Sequence, residues 1–136
     1  MRTLADFQIT SHIPFVLVFF LSIYMNFYEM TILVGLVVFF SVLYHLGEEE
    51  RNVFSYIDNV TSCSLSMYGN VQLFYSPSAF ILCTNLSLGM TALFFFAIGY
   101  RKDCEQYYNM LHPIALHIVP SVWSGIVVVF QKPFFV

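Results

Sequence analysis

Charge is what this chain of 136 residues has least of: five Lys and Arg and eight Asp and Glu, together 10% of the sequence, against roughly a quarter in an ordinary soluble domain. Residues 7–28, 30–47, 59–100 and 106–131 hold no Asp, Glu, Lys or Arg at all. With a net charge of −3 there is no basic patch to recruit nucleic acid or acidic lipid. Cysteine is also sparse. Cys63, Cys83 and Cys104 are odd in number and lack paired spacing, which argues against a disulfide framework and reads them as small apolar residues of helices. Strict alternation is missing too, as Pro14-Phe15-Val16-Leu17-Val18-Phe19-Phe20 shows, and a membrane β-barrel requires it. A cleaved signal peptide is disfavoured because Asp6 interrupts the run after Arg2 and no small-residue cleavage site follows.

What is present is apolar: 59% hydrophobic and 19% aromatic residues. A spanning helix needs about 20 mainly apolar residues. The expected fold is therefore all-α, a single integral membrane bundle with about five spans near 13–28, 30–46, 53–74, 79–100 and 112–130. Glu29 marks the turn between the first two, with one long tilted helix as the rival reading because each span is short. Residues 47–52 form an aqueous loop, and Tyr75-Ser76-Pro77-Ser78 a turn. The third span carries Asp58, Asn59, Thr61, Ser62, Ser64, Ser66, Asn70 and Gln72. Facing lipid it would insert poorly, so its polar face is expected to meet a site, a partner helix or water inside the bundle. Asn59-Val60-Thr61 and Asn85-Leu86-Ser87 match the glycosylation acceptor but fall within spans.

Ionisable groups at membrane depth are costly and are functional-site hypotheses by default. Five spans put loops 47–52 and 101–106 on the side of the N-terminus. His45 then leaves span two, Asp58 lies about 9 Å into span three, and His112 and His117 enter span five, all near one membrane face. Ser41 precedes His45 by one helical turn and shares its face. Three neutral imidazoles hold zinc at about 2.0–2.1 Å and leave a fourth position for water. A carboxylate such as Asp58 can orient that water or take its proton, and Ser41 can hydrogen-bond a lipid carbonyl or oxyanion. The pattern reads as metal-assisted hydrolysis. Taken singly, each histidine at a helix end also reads as an interfacial side chain with its tip in water. His12, judged far from the others, is assigned to that interfacial role.

Tyr28-Glu29-Met30, Phe39-Phe40-Ser41-Val42-Leu43-Tyr44-His45, Tyr56-Ile57-Asp58 and Tyr107-Tyr108 leading to His112 and His117 together resemble the CREST superfamily of membrane hydrolases. That group contains alkaline ceramidases, adiponectin-type receptors and lipases that remodel GPI anchors; the approach to span two is most similar to its myomaker-like branch. The resemblance covers the first half and last quarter of the chain. It implies zinc held by His45, His112 and His117, with Asp58 and Ser41 beside it. The family usually has seven spans and an H-x-x-x-H pair, whereas His112-Pro-Ile-Ala-Leu-His117 is H-x-x-x-x-H. On an α-helix residues five apart differ by about 140° in azimuth and do not face one ion. Pro113 suggests that His112 is a cap outside a helix starting at Pro113, its ring folded toward His117; alternatively Tyr108 stands in the first histidine's place and a ligand is lost.

The expectation is thus a zinc-dependent hydrolase acting on a lipid amide or ester, with membrane lipids as partners, no nucleic acid, and an endomembrane or plasma-membrane location. The alternative is a non-enzymatic protein of the myomaker or receptor type that keeps its histidines for structure. Five helices leave three arrangements open: a pocket open to lipid, a homo-oligomer that closes it, or a shortened inactive relative. Arg2, Arg51, Arg101 and Lys102 against Lys132 favour a cytoplasmic N-terminus, while the resemblance implies one outside.

Overall fold

The computed structural model of the chain describes residues 9–46, 53–75, 78–99 and 111–131, and these are all-helical, without a strand among them. Among the described residues five helices follow in order: α1 (Ile13–Tyr24), α2 (Tyr28–Leu46), α3 (Val53–Phe74), α4 (Ala79–Gly99) and α5 (Leu111–Phe130). Within α5, Ile114–Ile118 is π-helical. The loop expected at 47–52, Tyr108, Cys104 and the cationic segment 101–103 lie outside the described residues.

The turn between α1 and α2 is a correction to the sequence reading, which put it at Glu29. The first helix stops at Tyr24, and Asn26 takes the left-handed conformation with φ 55°. Asparagine tolerates that region because its short polar side chain can bond locally. The Asn26 amide donates to the Ile23 carbonyl at 3.0 Å and the Phe27 amide to the Ser22 carbonyl at 2.8 Å, the paired bonds of a Schellman ending. Phe27, next along, is buried in the core. Glu29 belongs instead to the first turn of α2, where a carboxylate meets the positive end of the helix dipole. Two helices joined at Asn26 also dispose of the single-tilted-helix rival. The hairpin is clasped across its inside by the Ser22 and Thr31 hydroxyls, 2.8 Å apart.

The helices form an open curl. α3 packs closely on α2, α2 on α1, α1 on α5 and α5 on α4, whereas α3 and α4 touch only sparsely. The core holds Phe15, Val18, Phe27, Met30, Val34, Val37, Leu65, Trp123, Val127 and Val128. Beside this apolar core, polar side chains are also buried and large apolar ones lie on the exterior. Ser22, Ser41, Gln72, Asn85, Ser121 and Ser124 are buried, while Leu17, Phe20, Ile32, Phe80, Met90 and Leu93 are exposed. The helices α2 and α5 are long and apolar enough to cross a membrane, each with mean hydropathy 1.9, and α1 and part of α4 are shorter apolar helices.

At Gly69 α3 lies close against Trp123 of α5. A Cβ at this position would overlap the Trp123 ring, whereas at Gly89 it would meet nothing within 4 Å. Trp123 is buried and cannot swing aside freely. Gly69→Ala should therefore destabilise the bundle by about 1–3 kcal/mol, the usual range for overpacking. Gly89→Ala should be neutral or slightly stabilising, since alanine is the better helix former. Thermal unfolding of both variants in detergent reads the difference, and equal midpoints would mean the Gly69–Trp123 contact is not tight.

Candidate metal centre

Four imidazoles meet at one end of the curl. His12 ends the turn before α1, His45 closes α2, and His112 and His117 lie in the first part of α5. His12 and His117 rings are 3.8 Å apart between centroids, His45 and His117 5.2 Å, and His12 and His45 5.6 Å. His112 stands 5.3 Å from His117 and 5.6 Å from His45.

His12 is the residue that sequence reasoning misplaced. It is not interfacial: it is 2% exposed and packs against His117. The signal was available, because a five-helix chain brings the start of α1 to the same end as the exit of α2 and the entry of α5. What obscured it is placing His12 far from the others in the topology.

The expectation for His112 is corrected in a different way. It is not a cap outside a helix beginning at Pro113, since the helix already includes Leu111 and His112. The five-residue spacing is accommodated by the backbone itself. Through Ile114–Ile118 the helix is π-helical, and the Val119 amide donates to the Ile114 carbonyl five residues back. Bonding from i to i+5 widens the turn, so His112 and His117, opposed on an α-helix, come to one side. Pro120 supplies a cause. It has no amide hydrogen, and its ring would clash with the carbonyl four residues back, at Leu116; a widened turn just before it relieves that conflict.

The ligand nitrogens of His12, His45 and His117 all lie within 4.8 Å of one another, and all three residues are buried. Nitrogens sharing one tetrahedral zinc stand about 3.3 Å apart, so small side-chain adjustments bring the trio onto one ion. The donor set suits it: neutral imidazoles are zinc ligands. The Ser11 hydroxyl lies 2.6 Å from His117 Nδ1 in a buried contact. A hydrogen bond on one ring nitrogen fixes the tautomer and presents the other to a metal.

Beside this trio, Ser41 is buried on α2 one turn before His45, and its hydroxyl hydrogen-bonds the Asp58 carboxylate. Among the described residues Asp58 Oδ1 has no hydrogen-bond partner. Ser41, Asp58, His112 and His117 line one end of a cavity of about 840 Å³. Its length follows α3, whose Ser55, Asn59, Ser62, Ser66 and Asn70 form one polar stripe along the wall. The polar face of the third helix is therefore not enclosed by neighbouring helices. It borders a cleft that the sparse contact between α3 and α4 leaves open.

No family model, no curated protein and no solved structure matches this chain. Its chemistry rests on its own residues.

Proposed function

We propose that this chain is a multi-pass membrane protein that hydrolyses an amide or ester bond of a lipid with a zinc ion held by His12, His45 and His117. The observation that carries the reading is Asp58, hydrogen-bonded to Ser41 and facing a large cavity beside three clustered imidazoles. The apolar exterior and buried polar residues support the membrane setting, since within lipid it is the polar groups that must find partners inside the bundle. The resemblance to the CREST superfamily supports the reaction class, with one change to the ligand set: His12 replaces His112 as the third histidine.

A zinc ion in such a site supplies Lewis acidity and a supply of activated water at neutral pH. The protein's own groups do the rest. Ser41 donates to one oxygen of Asp58 and holds the carboxylate toward the cavity. Asp58 Oδ1 accepts the proton of the attacking water and later delivers it to the leaving amine or alkoxide. His112, on the cavity side of the trio, donates an N–H to the carbonyl oxygen where negative charge develops. Ser11 holds His117 in one tautomer throughout.

The test is metal content followed by turnover. Protein purified in detergent should carry about one zinc per chain and should release fatty acid from a panel of ceramides and phospholipids, activity that a chelator removes and zinc restores. Zinc without hydrolysis of any panel member would identify the non-enzymatic alternative with a structural metal, and absence of zinc would end the metal reading.

A further inference from the structure

Asn85 sits on α4 with 1% of its surface exposed, and among the described residues neither its Oδ1 nor its Nδ2 has a hydrogen-bond partner. Burying a carboxamide with both ends unmatched is costly, and such groups are rare in folded proteins. Asn85 lines the same cavity as Asp58 and His112. It lies at the other end of it. Asn85 is six residues into α4, and Asn70, another lining residue, is four residues from the end of α3, so the two stand at a similar level of this antiparallel pair. Asn70 is occupied, its amide donating to the Ser66 carbonyl at 2.8 Å. From Asp58 to that level is roughly 15–18 Å at 1.5 Å per residue.

We infer that Asn85 is a second polar subsite, one that takes a hydroxyl carried on the chain of the ligand about 15 Å from the histidine end, the span of roughly a dozen extended methylenes. A hydroxyl matches the carboxamide at both atoms, because it donates to Oδ1 while accepting from Nδ2. A plain alkyl chain leaves both unpaired. The cavity thus distinguishes hydroxylated from unsubstituted chains by hydrogen bonding, which discriminates more sharply than an apolar pocket does. The inference rests on the proposal that a lipid chain occupies this cavity, but not on any hydrolysis there.

Two neutral probes that no hydrolase can cleave test it: 1,12-dodecanediol and 1-dodecanol, titrated against the full chain in detergent without added metal. Trp123 is the chain's one tryptophan and lines the cavity, so its fluorescence reports occupancy. The diol-to-alcohol affinity ratio should fall about tenfold on going from the native protein to Asn85→Leu, the loss of two ordinary hydrogen bonds. The same variant should unfold at a higher temperature than the native protein, because it removes an unmatched buried amide. Should Asn85→Leu fail to fold, Asn85→Thr serves as the folded check, and an unchanged ratio in that variant overturns the subsite. Binding of both probes with an unchanged ratio overturns the subsite and leaves the chain-binding cavity standing. No binding of either probe overturns both.

Discussion

Replacing His12 with alanine should strip zinc from this protein, whereas replacing His112 should leave it bound. The trio whose ligand nitrogens fall within 4.8 Å of one another is His12, His45 and His117, and His112 lies outside it on the cavity side. His117 is the hub, 3.8 Å from the His12 ring and 5.2 Å from that of His45, with its Nδ1 bonded to Ser11. Loss of an outer-shell partner costs zinc sites roughly 10–100-fold in affinity, and loss of a direct ligand should cost more. His12→Ala, His45→Ala and His117→Ala should therefore purify without metal, while His112→Ala keeps about one zinc per chain and loses turnover. Zinc measured in each purified variant, with helix content as the control for folding, decides it. If His112→Ala loses the metal and His12→Ala retains it, the ligands are the His45, His112 and His117 set implied by the family resemblance.

That contrast marks where the chain was legible and where it was not. The sparseness of charge locates the helices only approximately: a helix spans 53–74 although Asp58 lies within it. Parity then carries residues from three helices to one end, and the convergence of His45, Asp58, His112 and His117 follows from counting alone. Applied evenly, the same count would have added His12. The π-helical turn was not legible, because an azimuth of 100° per residue presumes an α-helix; the demand of Pro120 on the Leu116 carbonyl is what changes the geometry. The Asn26 turn was masked by Glu29, whose charge drew the boundary three residues too far along. Asn85 was weighed only as a glycosylation acceptor inside a span. Nothing in its sequence neighbourhood indicates that both its polar atoms are left unmatched against a cavity, since that depends on which helix faces it.

Asp58→Asn should leave zinc in place and lower turnover by about 10²–10⁴, the usual contribution of a positioned general base. The two side chains are nearly equal in volume, and asparagine Oδ1 still accepts the hydrogen bond that Ser41 gives to Asp58. What asparagine cannot do is take a proton from water. A purely structural Asp58 would thus survive the substitution with little change, and a catalytic one would not. Ser41→Ala separates orientation from proton transfer: it removes the donor that steers the carboxylate but leaves the base, so its loss in turnover should be smaller than that of Asp58→Asn. Hydrolysis rates at saturating lipid, measured on variants whose zinc content matches the native protein, give the comparison. Equal turnover in Asp58→Asn and native protein would remove Asp58 from the chemistry and reduce its role to holding α3 against α2 through Ser41.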